Sequence, residues 1–151
     1  MTPKFFTLET YEKTVLKIFE FTKKYYTDVI FLEIKTPEEV FEFVKNLKYI
    51  PDPKGIEFLS RPKFSIFKNL PRDCDDKTLI ITCYCELKGI PYKIGVTGKE
   101  KSPHHIFPII KLNDTWKYFD ATYENGKIGK LIFEPKFFKI YEFFSWLILG
   151  N

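Results

Sequence analysis

The sequence predicts an α+β domain in which helices come first and a small antiparallel sheet follows. Apolar residues recur at helical spacing in the first half of the chain, whereas strand-like runs are concentrated in the second half. Asn113-Asp114 separates two of these runs and is typical of a two-residue β-hairpin turn. The chain has 151 residues, of which 44% are hydrophobic, so one domain over residues 1–151 with a packed core is expected.

Two helices and one strand are predicted before the centre of the chain. Residues 7–26 carry apolar side chains on one helical face and predict an amphipathic helix. Residues 29–35 are dense in Ile, Leu and Phe and could form a strand or extend the first helix; the strand is the favoured interpretation. Residues 36–39, Thr-Pro-Glu-Glu, are typical of a helix start and predict the second helix. The proline-punctuated residues 56–71 are expected to be irregular.

A third helix is predicted to begin after Asp73, with Cys74 in its first turn. Asp73 is a suitable N-cap, and Asp76 completes a capping box. The N-terminus of a helix favours an anion, so Cys74 is predicted to have a lowered pKa and to act as a nucleophile. Asp75 is interpreted as a loop tether, because a carboxylate would raise the pKa of a thiol. The alternative is that Cys74 is a small buried residue that happens to begin a helix.

The hairpin predicts that a histidine and an aspartate meet. The apolar runs on either side of the two-residue turn are predicted strands, with Leu112 opposite Thr115. In that register His105 and Asp120 are diagonal neighbours on one sheet face, about 7–8 Å apart at the backbone. His104 has the opposite parity and should point away. A thiol nucleophile needs a base and a group that orients the base, and His105 with Asp120 supplies both.

The C-terminal segment is predicted to be a helix, and residues 92–97 a further strand. Residues 137–149 are apolar except for Lys139, Glu142 and Ser145, which form one narrow polar stripe at helical spacing. The segment is shorter than the ~20 apolar residues that cross a bilayer, so no transmembrane segment is expected. We expect this helix to bury one face in the domain and to present another to a second copy or a larger assembly.

Composition argues against several classes of partner. The net charge is +4, and no basic run is interleaved with aromatic residues, so nucleic-acid binding is not expected. The odd number of cysteines argues against a disulfide framework and favours a reducing, cytoplasmic compartment; Cys83 and Cys85 are expected in the core. The cysteines and histidines lack the spacing of a zinc site, so no metal and no other cofactor is expected. No signal peptide is predicted. The high Lys content and the absence of Gln resemble the amino-acid usage of thermophile proteins, although codon bias would produce the same composition.

Four short motifs follow one another along the chain: Asp-Cys-Asp-Asp at 73–76, Gly-Ile-Pro at 89–91, His-Ile-Phe at 105–107 and Trp-Lys-Tyr-Phe-Asp-Ala-Thr at 116–122. In this order they resemble the transglutaminase-like superfamily of papain-like cysteine enzymes. That family commonly shows Gly-Asp-Cys-Asp-Asp, Gly-Ile-Pro, His-Val-Tyr and Trp-x-x-x-Asp-Pro-Thr. The resemblance covers about residues 36–124, flanked by 1–35 and 125–151, and extends to small stand-alone members, some of them virus-encoded.

The resemblance implies a papain-like core, in which the nucleophile helix packs on a small antiparallel sheet, with additional N- and C-terminal helices. It implies that Cys74 is the nucleophile, His105 the base and later the acid, and Asp120 the group that orients His105. Arg72 and Ala121 stand where the family prefers Gly and Pro.

The donors to a reaction oxyanion depart from the papain pattern. Papain-type enzymes use a Gln upstream of the nucleophile, but this chain contains no Gln, and both tryptophans follow Cys74. One donor is expected to be the backbone N–H of Cys74. Asn69 is our candidate for the second donor.

The predicted function is that of a cysteine hydrolase or acyltransferase acting on peptide or isopeptide amide bonds of a protein or peptide substrate. The reaction would pass through a thioester, and the residues leave open whether water or a lysine amine resolves it. The alternative is a catalytically silent module of the same fold with a binding or structural role, because the Gln and Trp donors are absent. The resemblance to virus-encoded members leaves a viral origin open.

Overall fold

Helices precede strands in the structure, a computed structural model that describes residues 8–53, 59–68 and 70–143. The predicted α+β class is confirmed, because the strands of the described sheet all lie in the second half of the chain. The helices are α1 (Leu8–Tyr25), α2 (Pro37–Asn46), α3 (Pro62–Phe67) and α4 (Cys74–Lys88), and the strands are β1 (Tyr92–Gly98), β2 (His105–Leu112), β3 (Thr115–Tyr118) and β4 (Phe137–Tyr141).

The helix α4 is the centre of the core. Its N-cap, Asp73, accepts hydrogen bonds from the N–H groups of Asp75 (3.0 Å) and Asp76 (3.4 Å). Gly89 ends the helix in the left-handed region, with φ of 72°. Residues 75–85 are all buried, because α1, α2, a 3₁₀ helix and the sheet pack around α4. A helix enclosed in this way has no solvent-facing stripe, which explains its weak amphipathic pattern.

The antiparallel sheet has the strand order β3-β2-β1-β4. Asn113 and Asp114 join β2 to β3 with φ of 51° and 64°, the pair of left-handed residues that a two-residue hairpin turn requires. Leu112 pairs with Thr115, so the predicted register is confirmed. Because side chains alternate along a strand, this register determines which residues of β3 share the face of His105.

Two short segments differ from the prediction. Residues 29–35 were expected to form a strand, but Tyr26–Leu32 is a 3₁₀ helix that packs on α4. Val29 is buried, whereas Ile30 is 54% exposed, because the segment turns directly from α1 and meets no strand edge. A short apolar run is compatible with either structure, and the packing partner decides between them. Residues 56–71, expected to be irregular, contain α3.

The predicted C-terminal helix is wrong over residues 137–141. Phe137–Tyr141 forms β4, which pairs antiparallel with β1 and places Tyr141 opposite Ile94. The edge of β1 that does not face β2 carries backbone N–H and C=O groups that need partners, and β4 supplies them. Residues 144–149 lie outside the described residues, so the predicted docking role of the segment 137–149 stays a prediction.

Tyr141 ties β4 to α1 and provides a test of this arrangement. Its side chain is 7% exposed, and its hydroxyl donates to Glu12 Oε1 at 3.1 Å. We expect Tyr141→Ala to lower the free energy of unfolding by about 3 kcal/mol, because it leaves a cavity beneath β4. Tyr141→Phe keeps the ring and should cost about 1 kcal/mol. Urea denaturation followed by circular dichroism measures both, and equal losses would contradict the dominant role of the buried ring.

Candidate active site

Cys74 is the first residue of α4 and is half-buried against the sheet. Its thiol donates a hydrogen bond to Asp75 Oδ1 at 3.4 Å. The backbone N–H of Ile106 acts on the same sulfur and favours its ionised form. One turn further along α4, Thr78 Oγ1 donates to the Ile106 carbonyl at 3.4 Å. These contacts place the start of α4 beside the strand residue that follows His105.

His105 and Asp120 form the hydrogen bond that the hairpin register predicts. His105 Nε2 lies 2.5 Å from Asp120 Oδ2, and the two residues are only 5% and 2% exposed. The other carboxylate oxygen, Oδ1, accepts from the Thr122 N–H (3.1 Å) and the Thr122 hydroxyl (2.6 Å). Asp120 is therefore held on both oxygens and can hold the imidazole in one orientation. The shared face is confirmed, and the catalytic roles stay a prediction.

Two aromatic rings lie nearly parallel to the imidazole of His105. The ring centroids of Phe107 and Tyr123 are 6.0 Å and 6.2 Å from it, with interplanar angles of 18° and 19°. The Phe107 ring lies over Gly95 of β1, where a Cβ atom would come within 2.6 Å of the ring. Glycine at this position therefore leaves room for Phe107 beside His105.

The electrostatic environment of Cys74 differs from the prediction. Burial raises the pKa of the Cys74 thiol well above its ordinary value, and the carboxylates of Asp75 and Asp73 raise it further. The Ile106 N–H favours the thiolate but does not offset these effects. The predicted lowering of the pKa is therefore wrong for this structure, in which Cys74 is a neutral thiol at neutral pH.

The acidic residues at the start of α4 serve mainly as caps. Asp76 is fully buried; its Oδ1 accepts from the Ser60 N–H (2.9 Å) and its Oδ2 from the Asp73 N–H (3.2 Å). The predicted capping box is confirmed. Burial raises the pKa of Asp76 to about 6, and burial together with Asp76 raises that of Asp73 to about 7. Asp75, predicted as a loop tether, also accepts from the Cys74 thiol, a contact that its sequence position did not indicate.

Two groups of potential metal ligands lie in this acidic region. The first group consists of Asp73, Cys74 and Asp75, and the second of Asp52, Asp73 and Asp76. Within each group the potential ligand atoms all lie within 4.8 Å of one another. Asp73 and Asp76 already accept hydrogen bonds from backbone N–H groups at the start of α4. Helix capping accounts for their positions without a metal ion.

Lys77 is a buried lysine that the sequence analysis did not single out. It lies one turn after Cys74, is 2% exposed, and donates from Nζ to the Thr122 carbonyl at 2.9 Å. Burial and the nearby Arg72 lower its pKa to about 8. Through Thr122 the contact connects α4 to Asp120. The sequence feature that could have identified Lys77 is its position within the helix predicted to follow Asp73, where a buried lysine is unusual.

Two tyrosines border the site on the solvent side. Tyr123 is 40% exposed, and its ring centroid lies 5.3 Å from that of Tyr49, which is 37% exposed. Burial and the neighbouring Cys74 raise the pKa of both phenols, so both stay protonated at neutral pH. Tyr123 follows the Asp-Ala-Thr motif directly, and that adjacency was the available signal.

The remaining predicted residues lie where their sequence positions indicated or cannot be placed. His104 is exposed, its Nε2 accepts from the Lys99 N–H at 2.9 Å, and it takes no part in the His105–Asp120 contact. Cys83 and Cys85 are fully buried, as predicted. Asn69, the candidate oxyanion donor, lies outside the described residues.

Comparisons of this chain with protein-family models, curated proteins and solved structures found no match. The transglutaminase-like resemblance therefore depends on the four sequence motifs alone. Within the described ranges, none of the helices combines the length and the hydropathy that a membrane span requires.

Asp75 provides a test of the electrostatic account of Cys74. Its carboxylate raises the pKa of the thiol, so Asp75→Asn should lower that pKa and make alkylation of Cys74 by iodoacetamide at pH 8 severalfold faster. Peptide mapping of the alkylated, folded protein measures the rate at each cysteine. Cys83 and Cys85 serve as internal controls, and an unchanged or slower rate at Cys74 would contradict the assigned cause.

The raised pKa of Asp73 predicts how stability depends on pH. The carboxyl titrates near 7 when folded and near 3.8 when unfolded, so the folded chain binds more protons between these values. Its contribution to stability is complete below about pH 3.8 and is lost as pH rises through 7. Asp73→Asn keeps a capping oxygen and should therefore become more stable relative to wild type as pH rises from 4 to 8. Thermal unfolding at several pH values measures this, and a constant difference in Tm would refute it.

Proposed function

We propose that this chain is a cysteine hydrolase or acyltransferase acting on peptide or isopeptide amides, with Cys74, His105 and Asp120 as its catalytic residues. The observation that carries the proposal is the buried hydrogen bond between His105 and Asp120, with the second oxygen of Asp120 held by Thr122. A cysteine placed at a helix start beside the histidine strand completes the set of groups that such chemistry needs.

Cys74 is a neutral thiol at neutral pH, so the proposed mechanism is general-base catalysis. With Nε2 engaged by Asp120, the imidazole of His105 has Nδ1 left to accept the thiol proton. The thiol must first exchange its partner, Asp75 Oδ1, for that nitrogen. Asp120 then stabilises the imidazolium that forms.

In the first half of the reaction the sulfur attacks the amide carbonyl carbon as His105 takes the thiol proton. The tetrahedral oxyanion collapses, the carbon–nitrogen bond breaks, and His105 returns the proton to the departing amine. The remaining thioester is cleaved by water, which gives hydrolysis, or by a lysine amine, which gives a crosslink. Either step regenerates the thiol.

The oxyanion requires hydrogen-bond donors close to the sulfur. The side chain of Asp73 accepts from the N–H groups of Asp75 and Asp76 and not from that of Cys74, which suits the Cys74 N–H as one donor. The phenol of Tyr49, protonated and beside Cys74, is a second candidate next to Asn69.

A catalytically silent module remains the second candidate function. The observation that favours it is the raised pKa of Cys74, because a neutral thiol is a weak nucleophile. The two functions differ in what they require of His105. An enzyme needs the histidine to activate the sulfur, whereas a silent module keeps the same residues for packing alone.

Acylation by p-nitrophenyl acetate tests the proposal without knowledge of the substrate. We expect a nitrophenolate burst of one equivalent and an acetyl group on Cys74 by mass spectrometry. His105→Ala should slow the burst by a factor of roughly 100 or more, and Asp120→Asn should also slow it strongly, because both remove base catalysis. Cys83→Ala is the matched control and should keep the burst. Equal burst rates in wild type and His105→Ala, with unchanged Tm, would favour the silent module.

A further inference from the structure

A cavity of about 360 Å³ lies beside the proposed site. Its lining includes three lysines, one glutamate and the two tyrosines that border Cys74, namely Lys45, Lys48, Lys77, Glu124, Tyr49 and Tyr123. Lysines outnumber carboxylates in the lining, so the cavity has a positive character.

The cavity shares a wall with the proposed site. Tyr123 lies beside the imidazole of His105, with 6.2 Å between ring centroids, and also lines the cavity. Lys77 lines it from the turn of α4 that follows Cys74. A group bound in this cavity would therefore lie against Tyr49 and Tyr123, the two tyrosines that neighbour Cys74.

Within the part of the chain that the structure describes, Lys77 is a buried lysine without an ion pair. The residue is 2% exposed, and its ammonium donates to the Thr122 carbonyl. Asp120 and Glu124 act on it through space only, and no carboxylate in the described residues forms an ion pair with it. Buried ammonium groups are normally paired with a negative charge, so this one has the capacity to bind another acceptor.

A second buried cation strengthens the positive potential. Arg72 is 7% exposed and donates to the backbone carbonyls of Lys48 (2.9 Å) and Ser65 (2.6 Å). Lys45 is paired with the exposed Glu42 at 3.2 Å, and Lys48 is exposed at the rim. Within the lining itself, Lys45, Lys48 and Lys77 outnumber the one carboxylate, Glu124.

We propose that this cavity binds a carboxylate of the acyl substrate, either an acidic side chain or a free C-terminal carboxylate. The inference rests on the proposed function, because it assigns the substrate of that site. A carboxylate in the cavity would accept from Lys77 and Lys48, which have donors to offer. Peptides with an acidic group near the scissile amide would therefore be preferred.

Matched electrophiles that alkylate Cys74 test the preference directly. Chloroacetyl-Glu-amide is compared with chloroacetyl-Gln-amide for a side-chain carboxylate, and chloroacetyl-Gly with chloroacetyl-Gly-amide for a terminal one. We expect at least one acid to alkylate Cys74 roughly tenfold faster than its neutral partner at low salt, as one ion pair in a partly desolvated site would give. The ratio should fall in 1 M NaCl.

For each variant, the alkylation rate of Cys74 by the acidic probe is divided by the rate with its neutral partner. This ratio cancels changes in the reactivity of the thiol itself. Lys77→Gln and the double variant Lys45→Gln/Lys48→Gln should lower the ratio towards one. The double variant changes no buried side chain and keeps the test informative if Lys77→Gln fails to fold. Lys88→Gln, at the opposite end of α4 and exposed, is the control for Lys77→Gln with the same loss of one positive charge and should keep the ratio.

The outcomes separate this inference from the function it rests on. Equal rates for acidic and neutral probes, with Cys74 reacting faster than Cys83 and Cys85, would overturn the carboxylate site and leave the enzyme proposal intact. An equal loss of the ratio in Lys88→Gln would also overturn it, because net charge alone would then explain the preference. A Cys74 no more reactive than Cys83 and Cys85 toward every probe would overturn both.

Discussion

The structure depends on how α4, a helix that is buried over residues 75–85, begins. The N–H groups in the first turn of α4 need acceptors, and Asp75 and Asp76 of that turn are buried. Asp73 supplies one acceptor to two of them, and Asp76 returns a hydrogen bond to the Asp73 N–H while holding Ser60. The raised pKa values of Asp73 and Asp76 show the cost of burying carboxylates. This capping conflicts with activation of the adjacent thiol, because the carboxylates that begin the helix disfavour a thiolate at Cys74.

The parts of the fold that sequence reasoning predicted correctly are those with a local cause. The capping box and Gly89 define α4 from residues within one turn of its ends. The Asn113-Asp114 turn sets the register of the hairpin, and parity alone then places His105 and Asp120 on one face. The predictions failed where a distant partner decides. Residues 29–35 and 137–141 are short apolar runs, and the surface they meet, α4 for one and the edge of β1 for the other, determines their structure.

The same distinction applies to the candidate site. Lys77 and Tyr123 could not be placed from sequence, because the segment after β3 brings Thr122 and Tyr123 to α4 only in the folded chain.

The pKa of Cys74 was predicted in the wrong direction because the helix terminus was weighed without burial. A helix dipole contributes typically 0.3–1 kcal/mol, whereas desolvation and neighbouring carboxylates can shift the pKa of a thiol by more than that. Here burial and Asp75 dominate.

The partners of the Cys74 sulfur indicate how a neutral thiol could serve the proposed chemistry. Asp75 Oδ1 accepts a hydrogen bond from the S–H group and therefore favours the neutral thiol. The Ile106 N–H instead donates to the sulfur and therefore favours a negative charge on it. Once the sulfur is acylated it has no proton to donate, so its interaction with Asp75 is lost while that with Ile106 is retained. In the proposed mechanism the protein thus stabilises the unreactive thiol before substrate binds. Thiolate character would then arise only when His105 takes the proton, which limits adventitious oxidation of an accessible cysteine.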